Sequence, residues 1–273
     1  MPQPHPVDPL RVLQVSDTHL AARAPFSIAN WRAVSEFADT AADLVVHTGD
    51  ISLDGGDDLA FSWREIDRLT APWRAVPGNH DIGDPEPAAD PVDASRRARY
   101  HASFGDGSWA LVERSWNLVG LDVQTLTSTL PAAAELWDWL PGALATGLPT
   151  ALFIHRPLHP LVPGDTDDPM RYVTEPTRSR LLAVLGQADV RLVASGHVHQ
   201  WREGVVDGVR HVWAPSAWAS IPDHVQPVIG RKVVGAVLHT LRPDGTVSSE
   251  LVVPTGVAQV TSGIDFPSPF AHP

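Results

Sequence analysis

The residues from Pro72 to Asp81, P-W-R-A-V-P-G-N-H-D, contain the pattern that is most informative about the fold. Their first half is short and largely apolar, which predicts a buried strand ending at Val76, and the polar half follows directly. The same order occurs upstream, where the apolar residues 44–47 lead into Thr48-Gly49-Asp50. Between the two, residues 57–69 place apolar side chains on one helical face. A strand, a helix and a second strand predict an α/β protein with a mainly parallel sheet.

Three more apolar stretches are followed by polar side chains at the point where each predicted strand ends. Residues 11–15 precede Asp17-Thr18-His19, residues 151–154 precede His155, and residues 191–194 precede Ser195-Gly196-His197-Val198-His199. Each motif alone also has an ordinary interpretation, as a turn, a cap or a packed core histidine. The carboxyl ends of strands form the crevice where α/β proteins bind ligands. The joint pattern therefore predicts that the motifs converge at one edge of the sheet.

The side chains in these motifs are carboxylates, imidazoles and one amide, a donor set typical of hard to borderline metal ions. In extended chain an Asp-x-His or His-x-His pair places both side chains on one side, so two ligands from one strand end can reach one metal or two neighbours. The glycines at 49, 78 and 196 are expected to let the backbone turn sharply beside the ligands.

The amino-acid composition excludes several kinds of site and of binding partner. The 273 residues include 13 His and no Cys, which excludes disulfides, thiolate metal sites and cysteine nucleophiles. A net charge of −12 argues against nonspecific binding to nucleic acid or anionic membranes. No apolar run reaches transmembrane length and residues 1–6 do not resemble a signal peptide, so we expect a cytoplasmic protein. We expect a single domain over residues 1–253, followed by a C-terminal tail at 254–273.

The ordered set of motifs resembles the calcineurin-like metallophosphoesterases, and most of all their class III cyclic-nucleotide phosphodiesterase and glycerophosphodiesterase branch. The resemblance covers about residues 11 to 215. It implies a four-layer α/β/β/α sandwich of two mixed sheets with a two-metal centre at the strand ends.

The resemblance also implies a role for each matched residue. Asp17, His19 and His199 would bind the first metal, and Asp50 would bridge both metals. Asn79, His155 and His197 would complete the second site. His80 would not bind metal and would face the phosphoryl group of the substrate, which makes Asp50 and His80 the expected catalytic residues.

Two positions depart from the family pattern. Many members carry a second histidine directly after the one matched by His155, whereas this chain has Arg156, which we expect to contact the substrate. Related serine/threonine phosphatases pair the substrate-facing histidine with an aspartate three residues after the bridging one. Leu53 stands there in this sequence, and Asp54 is the nearest carboxylate.

The activity that the resemblance implies is hydrolysis of a small phosphodiester, of the cyclic-nucleotide or glycerophosphodiester type, by a hydroxide bound to two divalent ions. Mn, Fe and Zn are all compatible with the ligands. A phosphomonoesterase or nucleotide pyrophosphatase on the same centre is the alternative, and a non-enzymatic scaffold is a third. The expected partner is the small substrate, with no nucleic acid or membrane, in a homodimer or higher homo-oligomer.

Overall fold

A computed structural model describes residues 8–85, 88 and 90–269. Residues 1–6, in which no signal peptide is expected, lie outside the described residues, as do the last four residues of the C-terminal tail. Within the described part of the chain, no helix combines the length and the apolar composition needed to cross a membrane.

The chain forms twelve strands and seven helices within the described residues. The strands are β1 (Leu10–Val15), β2 (Leu44–His47), β3 (Trp73–Ala75), β4 (Trp109–Glu113), β5 (Trp116–Gly120), β6 (Thr150–Phe153), β7 (Val190–Ser195), β8 (Gln200–Val206), β9 (Val209–Trp213), β10 (Arg231–Lys232), β11 (Ala236–Leu241) and β12 (Val247–Val252). The helices are α1 (Pro25–Ala41), α2 (Asp57–Ile66), α3 (Asn79–Ile82), α4 (Ala94–Phe104), α5 (Val123–Leu126), α6 (Pro131–Leu144) and α7 (Thr177–Leu185).

The strands form two mixed sheets. The five-stranded sheet has the order β12-β11-β1-β2-β3, in which β1, β2 and β3 are parallel and β11 and β12 are antiparallel. The seven-stranded sheet has the order β10-β8-β9-β7-β6-β5-β4, with a parallel centre formed by β5, β6, β7 and β9. The predicted α/β class and the two mixed sheets of the metallophosphoesterase fold are confirmed.

Alternation along the central strands builds three apolar layers. On β1, Val12 faces the core between the two sheets, whereas Leu13 and Val15 face the helices of the first sheet. On β6, Phe153 joins the core between the sheets and Leu152 the layer beneath the helices of the second sheet. A strand that is buried on both faces reads as a continuous apolar run, which explains why these strands were recognisable in the sequence.

The apolar residues between Lys232 and Thr240 predict a single strand, and the structure shows that this prediction is wrong. The structure divides it into β10, which pairs with β8 in one sheet, and β11, which pairs with β1 in the other. The break falls at Val233–Gly235, where a Cβ on Gly235 would approach the Val252 carbonyl oxygen to 2.5 Å. Glycine is required at this point because a side chain would not fit there.

Candidate dinuclear metal centre

The structure brings all seven predicted ligands together. They lie in the segments that follow five strands, β1, β2, β3, β6 and β7, so residues far apart in sequence meet at one edge. The ligand atoms form two clusters, defined here as the first cluster (Asp17, His19, His199 and one oxygen of Asp50) and the second cluster (Asn79, His155, His197 and the other oxygen of Asp50).

The first cluster is compact and buried. His199 Nε2 lies 3.2 Å from His19 Nε2 and 3.3 Å from Asp17 Oδ1. Asp17 Oδ1 is buried and has no hydrogen-bond partner among the residues described. A buried carboxylate oxygen without a hydrogen bond is costly unless a cation satisfies it, so this arrangement fits a metal ion.

The second cluster surrounds His155 Nε2. The side-chain oxygen of Asn79 and Nδ1 of His197 each lie 3.1 Å from it, and Asp50 Oδ1 lies 3.4 Å away. A single proton on that nitrogen can satisfy only one of these three acceptors. Four lone pairs that meet at one point are the donor arrangement that a cation needs.

Asp50 lies between the two clusters. Its Oδ2 is 3.9 Å from His19 Nε2, while its Oδ1 faces His155 and also accepts a 2.8 Å hydrogen bond from the His80 backbone N–H. One carboxylate thus offers one oxygen to each cluster, which is the geometry that a bridging ligand requires.

Backbone carbonyls fix the tautomer of three of the histidines. His155 and His199 donate from Nδ1 to the carbonyls of Thr48, at 2.7 Å, and of Ala219, at 3.1 Å. His197 donates from its other nitrogen, Nε2, to the Met170 carbonyl at 2.6 Å. In each neutral ring the other nitrogen then carries a lone pair and faces its cluster. Metal-binding histidines are commonly oriented in this way, by a hydrogen bond from the nitrogen that does not bind the metal.

Five of the seven candidate ligands have left-handed backbone conformations. The φ angles are 53° at Asp17, 43° at His19, 52° at Asp50, 69° at His197 and 52° at His199. Such conformations cost about 1–3 kcal/mol at a non-glycine residue and persist where function requires them. The clustering of this strain on candidate ligands is independent support for a functional centre.

These conformations correct one expectation from the sequence. The Asp17/His19 and His197/His199 pairs lie beyond the ends of their strands and converge through left-handed turns, not through extended chain. Asn79 and His80 are likewise in the first turn of α3, where successive side chains diverge by the helical rotation.

The glycines also act differently from the expectation. Of the three glycines beside the ligands, Gly49, Gly78 and Gly196, only Gly49 has a positive φ, 92°, and so uses the conformational freedom of glycine. Gly78 and Gly196 are required for close approach, because a Cβ would overlap the Asp50 carboxylate at the first and the Ser16 hydroxyl at the second.

Replacing Gly78 with alanine is therefore expected to push Asp50 out of place and to reduce metal content in both clusters, with about 1–3 kcal/mol lost from the free energy of unfolding. Gly142→Ala is the matched control, since a Cβ there meets nothing within 4 Å. Thermal denaturation and elemental analysis measure both effects. Unchanged metal content in Gly78→Ala would contradict the tight contact.

The carboxylates and the histidines of the centre shift one another's pKa values. Burial alone would raise the pKa of Asp17, but the interaction with His199 outweighs burial and holds this pKa below the ordinary value of an aspartate. Burial would likewise raise the pKa of Asp50, and there the interaction with His155 outweighs it and keeps the pKa low. Burial alone would lower the pKa of His155, but Asp50 raises that pKa to about 9. Burial is the largest of the effects that hold the pKa of His19 well below its usual range. Two carboxylates therefore face imidazoles that give up a proton when a cation binds.

His80 is oriented by a backbone group. Its Nδ1 lies 3.0 Å from the Leu53 carbonyl oxygen, so the partner is the main chain of the residue that stands where related phosphatases carry an aspartate. One ring nitrogen of His80 also lies within 4.8 Å of ligand atoms of His19 and Asp50. Asn79, His80 and His197 are half-buried, whereas Asp17, His19, Asp50, His155 and His199 are buried. The open face of the centre is therefore on the side of His80.

Arg156, which the sequence predicts to contact the substrate, is held by other groups of the protein in this structure. Its guanidinium is buried, forms an ion pair with Asp84 and donates a 2.8 Å hydrogen bond to the Pro169 carbonyl. Since both terminal nitrogens are engaged, the geometry favours a positioning role, tying the segment that carries Met170 to the segment that carries Asp84. A direct substrate contact, which the sequence suggested, would require this pair to open.

Asp81 is a residue whose role the sequence did not reveal. Its carboxylate accepts hydrogen bonds from the backbone N–H groups of Ile51, Ser52 and Gly78 and from the Ser52 hydroxyl, at 2.7–3.2 Å. It thereby joins the segments that carry Asp50 and Asn79. The sequence shows that Asp81 follows His80, but it does not show which backbone groups its carboxylate binds.

The sequence matches the family model described as calcineurin-like phosphoesterase over residues 10–201. This span is more than half of the chain, and the chain belongs to the calcineurin-like phosphoesterase family. Members hydrolyse phosphoric esters at a dinuclear metal centre, and this chain has candidate ligand groups for such a centre. No curated protein sequence matches this one.

Several solved structures share the fold. A dimetal phosphatase from Danio rerio is 15% identical with a TM-score of 0.65, covering 90% of this chain and 96% of that one. GAP50, the anchor in the inner membrane complex of Plasmodium, is 15% identical with a TM-score of 0.67, covering 90% and 85%. The purple acid phosphatase PPD1 from Lupinus luteus is 15% identical with a TM-score of 0.62, covering 91% and 52%. At such identities the likeness concerns the fold alone.

Proposed function

We propose that this protein is a dinuclear metal-dependent phosphodiesterase acting on small diesters, of the cyclic-nucleotide or glycerophosphodiester type. The observation that carries the proposal is the position of Asp50, whose two oxygens face two separate clusters of ligand atoms. A scaffold that has lost catalysis would have no need to keep five strained residues and two such clusters.

In this proposal Asp17, His19 and His199 hold the first ion, Asn79, His155 and His197 hold the second, and Asp50 holds both. Two divalent ions at these positions would acidify a water molecule and neutralise charge on the phosphoryl oxygens. Mn, Fe and Zn all accept carboxylate, amide and imidazole ligands.

His80 is proposed to protonate the leaving oxygen. Its Nδ1–H donates to the Leu53 carbonyl, so its Nε2 is the atom that can exchange a proton with the substrate. A carbonyl accepts the same hydrogen bond from the neutral ring and from the doubly protonated ring. The orientation of His80 is therefore kept before and after it gives up the Nε2 proton.

The pairing of Arg156 supports a diester over a monoester. A terminal phosphate is dianionic and gains from added cationic donors, whereas a diester carries one negative charge. The charge of Arg156, the cationic side chain next to His155, is already compensated by the ion pair with Asp84. The half-buried open face would then bind a monoanion with the ions and His80 alone.

A turnover panel in Mn²⁺ tests the substrate class. We expect bis-p-nitrophenyl phosphate, cyclic AMP or glycerophosphocholine to be hydrolysed with higher kcat/KM than p-nitrophenyl phosphate. A preference for p-nitrophenyl phosphate would favour a phosphomonoesterase on the same centre, and turnover of none of them with both ions bound would favour the scaffold.

Activity is expected to depend on bound metal, because six of the seven proposed ligands bind protons in competition with a cation. Treatment with a strong chelator followed by desalting should abolish turnover, and Mn²⁺ should restore it. Elemental analysis checks that the treated protein is metal-free. Full activity in that metal-free protein would contradict the two-metal proposal.

A further inference from the structure

We infer that the C-terminal segment, residues 254–269, positions the first metal cluster and has no comparable effect on the second. The inference rests on the proposed two-metal site but concerns residues beyond position 201, where the match to the family model ends. The link is a short chain of contacts that runs from this segment through Trp218 to His19 and His199.

Residues 216–220 form one wall of the first cluster. Ser216 donates its hydroxyl to the Asp17 carbonyl at 2.8 Å, and the Ala217 N–H donates to the Ser16 carbonyl at 2.9 Å. Ala219 supplies the carbonyl that fixes the tautomer of His199. By these hydrogen bonds the wall holds two of the three residues that belong to the first cluster alone, Asp17 and His199.

The indole of Trp218 packs directly on the ligands. Its ring centroid lies 4.9 Å from that of His19 and 6.1 Å from that of His199. Trp218 is almost completely buried, so its position limits the positions that both imidazoles can adopt. Packing of this kind preserves a ligand geometry that hydrogen bonds alone would leave free to rotate.

The C-terminal segment holds this wall by polar contacts. The buried Asn30 side chain of α1 donates to the carbonyls of Trp218, at 3.0 Å, and Ala258, at 3.1 Å, and accepts from the Ala258 N–H at 2.7 Å. Ser220 donates its N–H to the Val260 carbonyl and accepts from the Ser262 N–H. These bonds join α1, the wall and the C-terminal segment into one unit.

Phe266 adds an aromatic contact at the outside of the same unit. Its ring lies 5.6 Å from that of Trp218 and stacks at 5.0 Å on Phe26 of α1. The Trp218 indole thus contacts Phe266 as well as the two ligand histidines, His19 and His199. Removing the Phe266 ring leaves the indole room to shift away from His19 and His199.

The second cluster has different supports. The tautomers of His155 and His197 are fixed by the carbonyls of Thr48 and Met170, which lie in the segments after β2 and before α7. The contacts that hold the C-terminal segment run instead to α1, to residues 218–220 and to Val234. A change at Phe266 is therefore expected to weaken metal binding in the first cluster and not in the second.

The test measures Mn²⁺ affinity by calorimetry in two backgrounds that each retain one cluster. In His197→Ala protein, which retains the first, adding Phe266→Ala should weaken binding by about 10-fold, the lower end of the range for partners that contact a ligand directly, because Phe266 acts through Trp218. In His199→Ala protein, which retains the second, the same change should leave the affinity within about twofold. Phe266→Tyr, which keeps the ring, should restore the first affinity.

Phe104→Ala is the matched control for a loss of stability, because Phe104 also stacks on a buried aromatic residue, Tyr100, at 5.2 Å. It should lower the Tm of the metal-free protein to a similar degree without changing either affinity. Equal weakening of both clusters by Phe266→Ala, or weakening of neither, would overturn the inference while leaving the two-metal proposal standing. A wild-type protein that binds fewer than two ions would contradict both.

Discussion

Asp50→Ala is expected to remove both ions and to abolish turnover, because this one carboxylate faces both clusters. Structural zinc sites gain about 10–16 kcal/mol from four ligands, or about 3 kcal/mol for each. Losing one ligand thus weakens a site by about 100-fold, and losing it at two sites together weakens the pair by about 10⁴-fold. Elemental analysis after desalting and a kcat measurement at saturating Mn²⁺ test both effects.

The comparison with a terminal ligand makes this prediction specific. His19→Ala should weaken mainly the first cluster and should be partly rescued by excess Mn²⁺. Asp54→Ala is the matched control, since this exposed carboxylate lies four residues along the same loop and should leave both ions in place. If Asp50→Ala and His19→Ala lost the same amount of metal and recovered equally, Asp50 would not be a bridge.

His80→Ala is expected to keep both ions and to slow turnover by roughly 10²–10⁴-fold, the scale for loss of a positioned proton donor. The loss should depend on the leaving group. An alkoxide from glycerol or ribose needs a proton and should be affected most, whereas p-nitrophenolate leaves without one and should be affected least. Values of kcat for both kinds of diester, with metal content checked by mass spectrometry, provide the test.

His80→Asn separates two possible effects of losing His80, the loss of the proton donor and a displacement of its loop. The asparagine amide can still donate to the Leu53 carbonyl, which keeps the loop in place, but it cannot give up a proton at the position of Nε2. It should therefore match His80→Ala on the alkoxide diester. An equal loss on both substrate types would favour charge stabilisation over proton donation, and loss of metal from His80→Ala would make His80 a ligand.

The fold could be predicted from the sequence because its signals are local. Apolar runs such as residues 44–47 and 151–154 became β2 and β6 with bounds within one residue of those predicted. β8 was not recognised, since Arg202 and Glu203 interrupt its apolar pattern where the strand is only half-buried. The division of residues 232–240 between two sheets was also missed, because it depends on the partner strands, β8 and β1, which the apolar pattern of the segment does not specify.

The side chains of the candidate centre could be predicted from the sequence, because carboxylates, imidazoles and an amide directly after apolar strands are a pattern that the chain order alone displays. How those side chains are held could be learned only from the packed structure. The carbonyls of Thr48, Leu53, Met170 and Ala219 orient four histidines, and the first of them reaches His155 across 107 residues. Every residue carries a carbonyl, so no residue type marks the ones that are used. Which carbonyl faces which imidazole depends on backbone positions that exist only once both sheets have packed.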